Sequence, residues 1–587
     1  MKTLTHTLLL TLTLLATLTA CGPADEPQAD ADGKKQLIFI SNQEHNARDP
    51  QRITWTQDIR LADCLFEPLV LADYTAMKLE PGTAEAWTVS EDLRTYTFTI
   101  RSDARWNNGE PVTAHDVAYA WQRAMLPDTT AGYAQLLFVI KGAHDFYDFR
   151  AAQAVAYAKA DPSQRSAEDD YRKALEYFNQ NVGIKTPDER TLVVTLTQPT
   201  PYFLDLAAFA TFMPVHKKSI EAETTFVAST GQLSMDQRYW SDPDRLVTNG
   251  PYQLKQARFR QSNELTPNPH YWNRDAIKNS GVKEIIINDP GTALYSYQGG
   301  KAHYWPRVPS GTTAAELAAN ADNRNDVHLQ TMAGTFFINA NCEPHLSDGS
   351  DNPLADQRVR VALSMAIDRE LIVNNVTRMH EPVAKTFIPP NAVAGYEPPA
   401  HAAPGYDPAA AKNLLAEAGY NDPATLTGLT LLYRSTDPGE SLIAQTLSNM
   451  WQRKLGVTVK LEGLENRVVV ERVINREYTL ARGSWYGDYP DPTTWLDRLR
   501  KPVGKRANNA SGWDHPPFDT LLNQAATERD TTQRLAMLRD AEAMMLEHQP
   551  MFFLYHYISL NLYDPARISG IQNNPWFRVR FQDVVVH

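Results

Sequence analysis

Ala481-Arg-Gly-Ser-Trp-Tyr-Gly-Asp-Tyr-Pro-Asp-Pro-Thr-Thr-Trp-Leu496 is the densest unusual stretch of this chain. Between Arg482 and Trp495, 14 residues hold Trp485, Tyr486, Asp488 and Tyr489 together with two glycines and two prolines. Gly and Pro interrupt regular structure, so the stretch reads as a loop. A loop this rich in aromatic rings is costly to leave in water. It either packs into a core or lines a binding cleft, and the residues alone leave both readings open.

Outward from this loop the signals are mixed α and β. Thr95-Tyr-Thr-Phe-Thr-Ile100 alternates strictly, with Tyr96, Phe98 and Ile100 on one face, and predicts a half-buried strand. Thr191-Leu-Val-Val-Thr-Leu196 reads the same way, and Glu284-Ile-Ile-Ile-Asn288 reads as a more buried strand. Asp407-Pro408 opens a helix that Gly419 ends. Val359, Leu363, Ile367 and Leu371 predict one amphipathic helix over 356–376. A helix over 442–455 closes at Gly456 and precedes a strand, Val457-Thr-Val-Lys-Leu461. Residues 141–180 read as a helical insertion. No repeat of 20–50 residues appears, which disfavours a solenoid or propeller.

With 587 residues the chain is too long for one core and predicts two or three domains. A net charge of −12 argues against a large nucleic-acid footprint. GxSxG, HExxH, GxxxxGK[ST] and GxGxxG are all absent, and His380-Glu381-Pro382 lacks a second histidine at metal spacing. No cofactor or metal is expected. Carboxylate pairs are plentiful, as on any acidic surface, and none recommends itself as a glycosidase dyad. Cys64 and Cys342 have no zinc-like spacing, and whether they pair is open.

The first 21 residues read as an export signal. Lys2 begins it, residues 8–16 are apolar but too short to span a bilayer, and Leu18-Thr-Ala-Cys21-Gly22 follows. Small residues before a cysteine resemble a bacterial lipobox, which implies cleavage before Cys21 and its lipidation. Plain secretion with cleavage near Ala20 is the other reading. Residues 22–35 read as a polar, acidic tether. The expected mature protein is held at a membrane through Cys21 without spanning it.

Several ordered motifs then carry a family resemblance. They are Leu79-Glu-Pro-Gly-Thr-Ala-Glu-Ala-Trp87, Ala104-Arg-Trp-Asn-Asn-Gly-Glu-Pro-Val-Thr-Ala-His-Asp-Val117 with Tyr119-Ala-Trp-Gln-Arg123, and Val247-Thr-Asn-Gly-Pro-Tyr252. Arg358-Val-Arg-Val-Ala-Leu363, Ala366-Ile-Asp-Arg369 and the 481–496 loop complete the set. Over residues 36–587 the chain resembles the bacterial oligopeptide-binding proteins, in the peptide/nickel solute-binding family (cluster C) of ABC importers. The resemblance favours the cleft reading of 481–496. It implies an α/β, two-lobed, periplasmic-binding-protein-like clamp of type II with three domains. Residues 36–66, 205–333 and 556–587 would form one lobe, 67–204 an extra domain found in peptide binders, and 334–555 the opposing lobe.

The same resemblance implies site roles. Asp488 matches the residue that receives a peptide's α-ammonium, an ion that needs a fixed opposite charge once it is buried. Arg482 matches an arginine able to reach the carboxylate of a short peptide. Trp485, Tyr486 and Gly487 match residues flanking the ligand, and Tyr133 one that closes over its amino end. Trp55 and Thr56 sit where the first lobe approaches, and Asn466 stands where relatives carry a pocket tryptophan. Departures are also visible. Tyr486 occupies the place of a cysteine that bridges to a position near Ala333, while Val473 and Gly439 stand in place of a pocket Arg and His. The implied protein is no enzyme but a monomer that passes short peptides to ABC permease subunits. The same fold carrying dipeptides, cell-wall peptides, a nickel chelate or a sugar is the alternative, and an exported hydrolase is a competing class. Replacing Cys21 with Ser should move the protein from the membrane fraction to the soluble one; continued co-sedimentation with lipid would contradict the lipobox reading.

Overall fold

The structure is a computed structural model that describes residues 29–501 and 509–587. Cys21, the export signal and the first part of the tether lie outside the described residues.

One ten-stranded sheet organises the chain. Its strands are β1 (Leu37–Ser41), β2 (Tyr252–Arg258), β3 (Ser262–Pro267), β4 (Val282–Ile286) and β5 (Tyr304–Trp305). The rest are β6 (Val327–Ala340), β7 (Thr430–Arg434), β8 (Lys460–Leu464), β9 (Leu480–Tyr486) and β10 (Met551–Tyr563). The spatial order is β2-β3-β4-β1-β5-β10-β6-β9-β7-β8. β6 and β10 are the long strands at the centre, paired antiparallel from Val327 opposite Leu562 to Asn339 opposite Met551. The ladder is irregular between Thr331 and Thr335. On one side of that irregularity β5 pairs with the end of β10 at Tyr563 and Leu562; on the other, β9 pairs with residues 334–340 of β6. The two halves of the molecule therefore share two continuous strands. The boundaries expected at 333/334 and 555/556 fall inside them rather than in linkers.

Each half has its own core. Ile40, Trp305, Leu560 and Leu562 pack with Ala293 and Leu317 in one. Phe336, Ile338, Leu431, Leu480, Phe552 and Leu554 pack with Trp451 and Leu363 in the other. Trp451 is fully buried and still satisfies its indole by donating to the Leu363 carbonyl at 2.9 Å. A four-stranded antiparallel sheet, Ala84–Val89, Thr95–Ile100, Thr191–Thr195 and Ile184–Lys185 in that order, lies in the 67–204 region. Tyr96, Phe98 and Ile100 are buried and the threonines between them are not, as the alternation predicts.

Two helices position the residues that matter below. α1 (Thr56–Leu65) starts at Trp55 without any side-chain cap. α2 (Ala114–Met125) starts with a capping box, in which Thr113 accepts from the Asp116 amide and Asp116 accepts from the Thr113 amide. Near its end, Arg123 donates to both Asp49 oxygens and to the Gln51 amide oxygen, the latter at 2.8 Å. Asp49 and Arg123 are both buried. Losing one partner would strand the other charge, at a cost of about 3–5 kcal/mol. This pair fixes the chain just before α1.

Three local expectations change. The helix predicted over 356–376 breaks into Gln357–Met365, Arg369–Leu371 and a wider turn at Ile372–Val376. Asp368 accepts from the Leu371 amide and caps a new start, while Arg369 donates to the carbonyls of Ser364 and Ile367 that the break frees. The strand expected at 457–461 runs instead from Lys460 to Leu464, because Val457 and Val459 are buried under the preceding helix, α3 (Pro438–Leu455). The strand expected over 284–288 is β4, which ends at Ile286. Cys64 and Cys342 are both free thiols.

Candidate functional site

The site is built at the end of β9. Residues 480–486 pair antiparallel with β6, Tyr486 opposite Gly334 and Arg482 opposite Ile338. The Gly487 amide extends this pairing by donating to the Ala333 carbonyl at 2.8 Å. Thr494 then pins the turn twice: its hydroxyl accepts from the Asp488 amide at 3.0 Å and its carbonyl from the Trp485 indole at 2.8 Å. Downstream, Asp491 takes a two-pronged contact from Arg534 at 2.6 and 2.9 Å. Gly487 is required where it stands, since a Cβ there would lie 2.6 Å from Trp495 and 2.7 Å from Trp576. Gly334 has the same constraint beneath the Tyr486 ring, 2.4 Å away.

Asp488 lines a cavity of about 490 Å³. Its walls come from both halves: Tyr133, Thr54, Thr56 and Phe209 on one side, residues 484–488 on the other, and residues 575–579 closing the edge. Burial pushes the Asp488 carboxyl up to about 6, against the opposing pull of the Arg498 guanidinium and the Tyr133 hydroxyl. Arg498 lies 3.8 Å over the Trp485 ring, and burial brings it down to about 10 with Asp488 opposing. Tyr133 packs edge-on against Phe209 with centroids 4.9 Å apart, and burial followed by the Asp488 charge pushes its phenol up. A second cavity, of about 530 Å³, shares Thr54, Thr56, Arg60, Arg307 and Tyr486 with the first and adds Trp55 and Gln57. Tyr486, 37% exposed, stacks on Tyr557 with centroids 4.7 Å apart.

Of the residues singled out from the sequence, Tyr133, Thr56, Trp485, Tyr486, Gly487 and Asp488 meet in the first cavity, and Trp55 lines the second. Arg482 does neither. Its guanidinium is 2.6 Å from Glu440 on α3, a carboxylate that also takes Arg434, and it lies over Phe336 at 5.3 Å. In this structure that carboxylate holds it, while its Nε is buried without a partner among the described residues. Asn466 is exposed at the first position of the helix Asn466–Ile474 and lines neither cavity. The sequence reading missed Arg60, Arg307, Arg498 and Arg578. Arg578 pairs with Asp63 at 2.6 Å. The cluster Pro575-Trp-Phe-Arg578 carries the same aromatic and cationic signal as 481–496 and could have flagged it. Tyr304-Trp-Pro-Arg307 carries a similar signal, Arg498 lies two residues past the 481–496 stretch, and Arg60 alone gives no local sign.

A clamp whose shared central strands carry two halves, with charged and aromatic side chains from both facing one cleft, is the architecture of a solute-binding protein. The sequence matches the family model described as bacterial extracellular solute-binding proteins, family 5 Middle, over residues 78–506. It is 31% identical over 94% of its length, and 93% of the relative's, to the oligopeptide-binding protein OppA of Bacillus subtilis. It is also 31% identical to the periplasmic murein peptide-binding protein MppA of Escherichia coli, covering 92% of this chain and 91% of that one. The solved unliganded open form of MppA, described as a periplasmic murein tripeptide binding protein, superposes with a TM-score of 0.75. There the identity is 29%, over 96% of this chain and 99% of that one. The chain belongs to family 5 of the bacterial extracellular solute-binding proteins and is a binding protein, not an enzyme.

In the unliganded protein the Asp488 carboxyl should titrate near 6 in infrared difference spectra taken against Asp488→Asn. Tyr133→Phe, which removes a donor to the carboxylate, should raise that midpoint; an unchanged or lower midpoint would contradict the contact.

Proposed function

We propose that this protein captures short peptides between its two halves by their backbone and termini and delivers them to the permease of an ABC importer. One observation carries the reading: Asp488 is a carboxylate in the interlobe cavity with no ion pair within 4.0 Å among the described residues, and its burial already disfavours its charged form. A ligand ammonium placed there supplies the missing counter-charge in a poorly hydrated setting, where charge-assisted hydrogen bonds are strong. The relatives named for oligopeptides and murein peptides support a peptide as the bearer of that ammonium.

Tyr133 closes over the amino end, and Trp485, Tyr486 and Gly487 flank the peptide as it runs beside residues 485–487 like an added strand. Backbone pairing gives affinity without reading side chains, which sit in hydrated space. Trp55 and Thr56 approach from the opposite half. Residues 36–66, 205–333 and 556–587 form one lobe, 67–204 the extra domain and 334–555 the other lobe. The hinge lies where β6 and β10 pass between lobes. The exported chain works as a monomer, held at the membrane by lipidated Cys21 and the 22–35 tether, with no nucleic-acid partner.

Calorimetry with trialanine tests this reading. Asp488→Asn should weaken binding by more than about tenfold, and N-acetylation of the peptide should do the same to the unaltered protein. Because protons compete with the ammonium for Asp488, affinity should fall by about tenfold per unit below about 6, and because the peptide α-amine loses its proton at about 8 it should fall again above that, leaving a maximum between about 6 and 8. Equal affinities for the free and acetylated peptides would contradict the ammonium role.

A further inference from the structure

With Arg482 held by Glu440, the cleft needs another receiver for a ligand's negative charge, and the second cavity has one. Arg60 and Arg307 are the charged side chains of its lining, and no carboxylate joins them there among the described residues. Arg60 is 8% exposed and makes no ion pair or hydrogen bond among the described residues. The buried carboxylate whose field it feels, Glu284, is already spent on His45 at 2.7 Å and Asn263 at 2.7 Å. Desolvation lowers His45, but the Glu284 charge and hydrogen bonds to Asp58 and Glu284 raise it to about 9; the imidazolium lies between these two carboxylates, at 3.2 Å from Asp58 and 2.7 Å from Glu284, and neither of them pairs with Arg60 among the described residues. A nearly buried guanidinium with no counter-ion in direct contact is expensive to keep, which makes it a candidate to receive a ligand's charge.

The surrounding groups point the same way. Arg307 is held at φ +57°, in the left-handed region that side chains avoid, with its amide donating to Asn561 at 3.0 Å and its carbonyl accepting from Asn42 at 2.9 Å. One guanidinium nitrogen donates to the Thr56 hydroxyl at 3.0 Å, which leaves the rest of the fork available. Thr56 and Gln57 open α1, whose ten-residue helix has no side-chain cap, and the Gln57 Nε2 is buried without a partner among the described residues. Two guanidinium groups, an orphan amide donor and a free helix N-terminus thus surround one space.

We infer that Arg60 and Arg307 form a carboxylate-receiving subsite, fed by the start of α1, which takes a second charged group of the ligand whose ammonium sits at Asp488. This rests on the peptide reading. The carboxylate is either the peptide's C-terminus or an acidic side chain, and the chemistry of reception is the same.

Four probes of one length separate these sources: trialanine, trialanine amide, Ala-Glu-Ala amide and Ala-Ala-Glu amide, titrated into the full chain and into Arg307→Gln, Arg307→Lys and Arg60→Gln. Melting curves identify any variant that fails to fold, and Arg307→Gln, at the more accessible position, keeps the test independent of Arg60. The unaltered protein should prefer at least one carboxylate-bearing probe over trialanine amide by about tenfold or more. Arg307→Gln should remove that preference while changing trialanine amide binding by less than about threefold, and Arg307→Lys should restore part of it. Preference for trialanine alone identifies the terminal carboxylate; preference for a Glu-containing amide identifies the side chain. If all four probes bind the unaltered protein equally, or the preference survives in Arg307→Gln, the subsite is overturned and the peptide reading stands. If none binds, both fall.

Discussion

A carboxylate withdrawn from water with no ion pair of its own among the described residues is the constraint around which this structure is arranged. Asp488 sits on a turn that cannot relax: Gly487 is wedged against Trp495 and Trp576, Thr494 holds the backbone on both sides of it, and β9 is locked to β6. Burial raises its pKa to about 6, and Tyr133 and Arg498 only partly compensate. The cleft is thus unsatisfied when empty, which is the condition under which a ligand ammonium gains most by entering.

The contrast with charges elsewhere in the molecule is instructive. Asp49 with Arg123, Asp491 with Arg534 and Asp128 with Arg150 are buried ion pairs, and each ties a loop to a helix or its neighbour. Those pairs make the frame stiff. The groups facing the cleft, Asp488 on one side and Arg60 with Arg307 on the other, lack such ion pairs among the described residues. Matched charges hold the walls and unmatched ones face the space between them, a division expected where binding is favoured over stability. The β6–β10 ladder is irregular between Thr331 and Thr335, where the two halves meet.

Much of this was legible in the residues. The alternation at 95–100, the Asp407-Pro408 start and the Gly456 stop are local signals, and each formed as read. The helix at 356–376 failed because its apolar spacing concealed Asp368, whose side chain offers the backbone a fresh cap. At the site, the stretch 481–496 announced itself by composition, and five of its residues reached the cleft together. Arg482 did not, because the partner that claims it, Glu440, lies 42 residues earlier on another element and no local pattern connects the two. Arg60 was invisible for the same reason. What sets it apart is the ion pair it lacks among the described residues, a property of three dimensions only.

The most direct test is a crystal structure of the protein with trialanine bound. The account predicts the peptide's α-amino nitrogen within about 3 Å of the Asp488 carboxylate, with Tyr133 beside it and the lobes drawn together. A peptide bound elsewhere, or one in the cleft with its amino end turned away from residue 488, would contradict it.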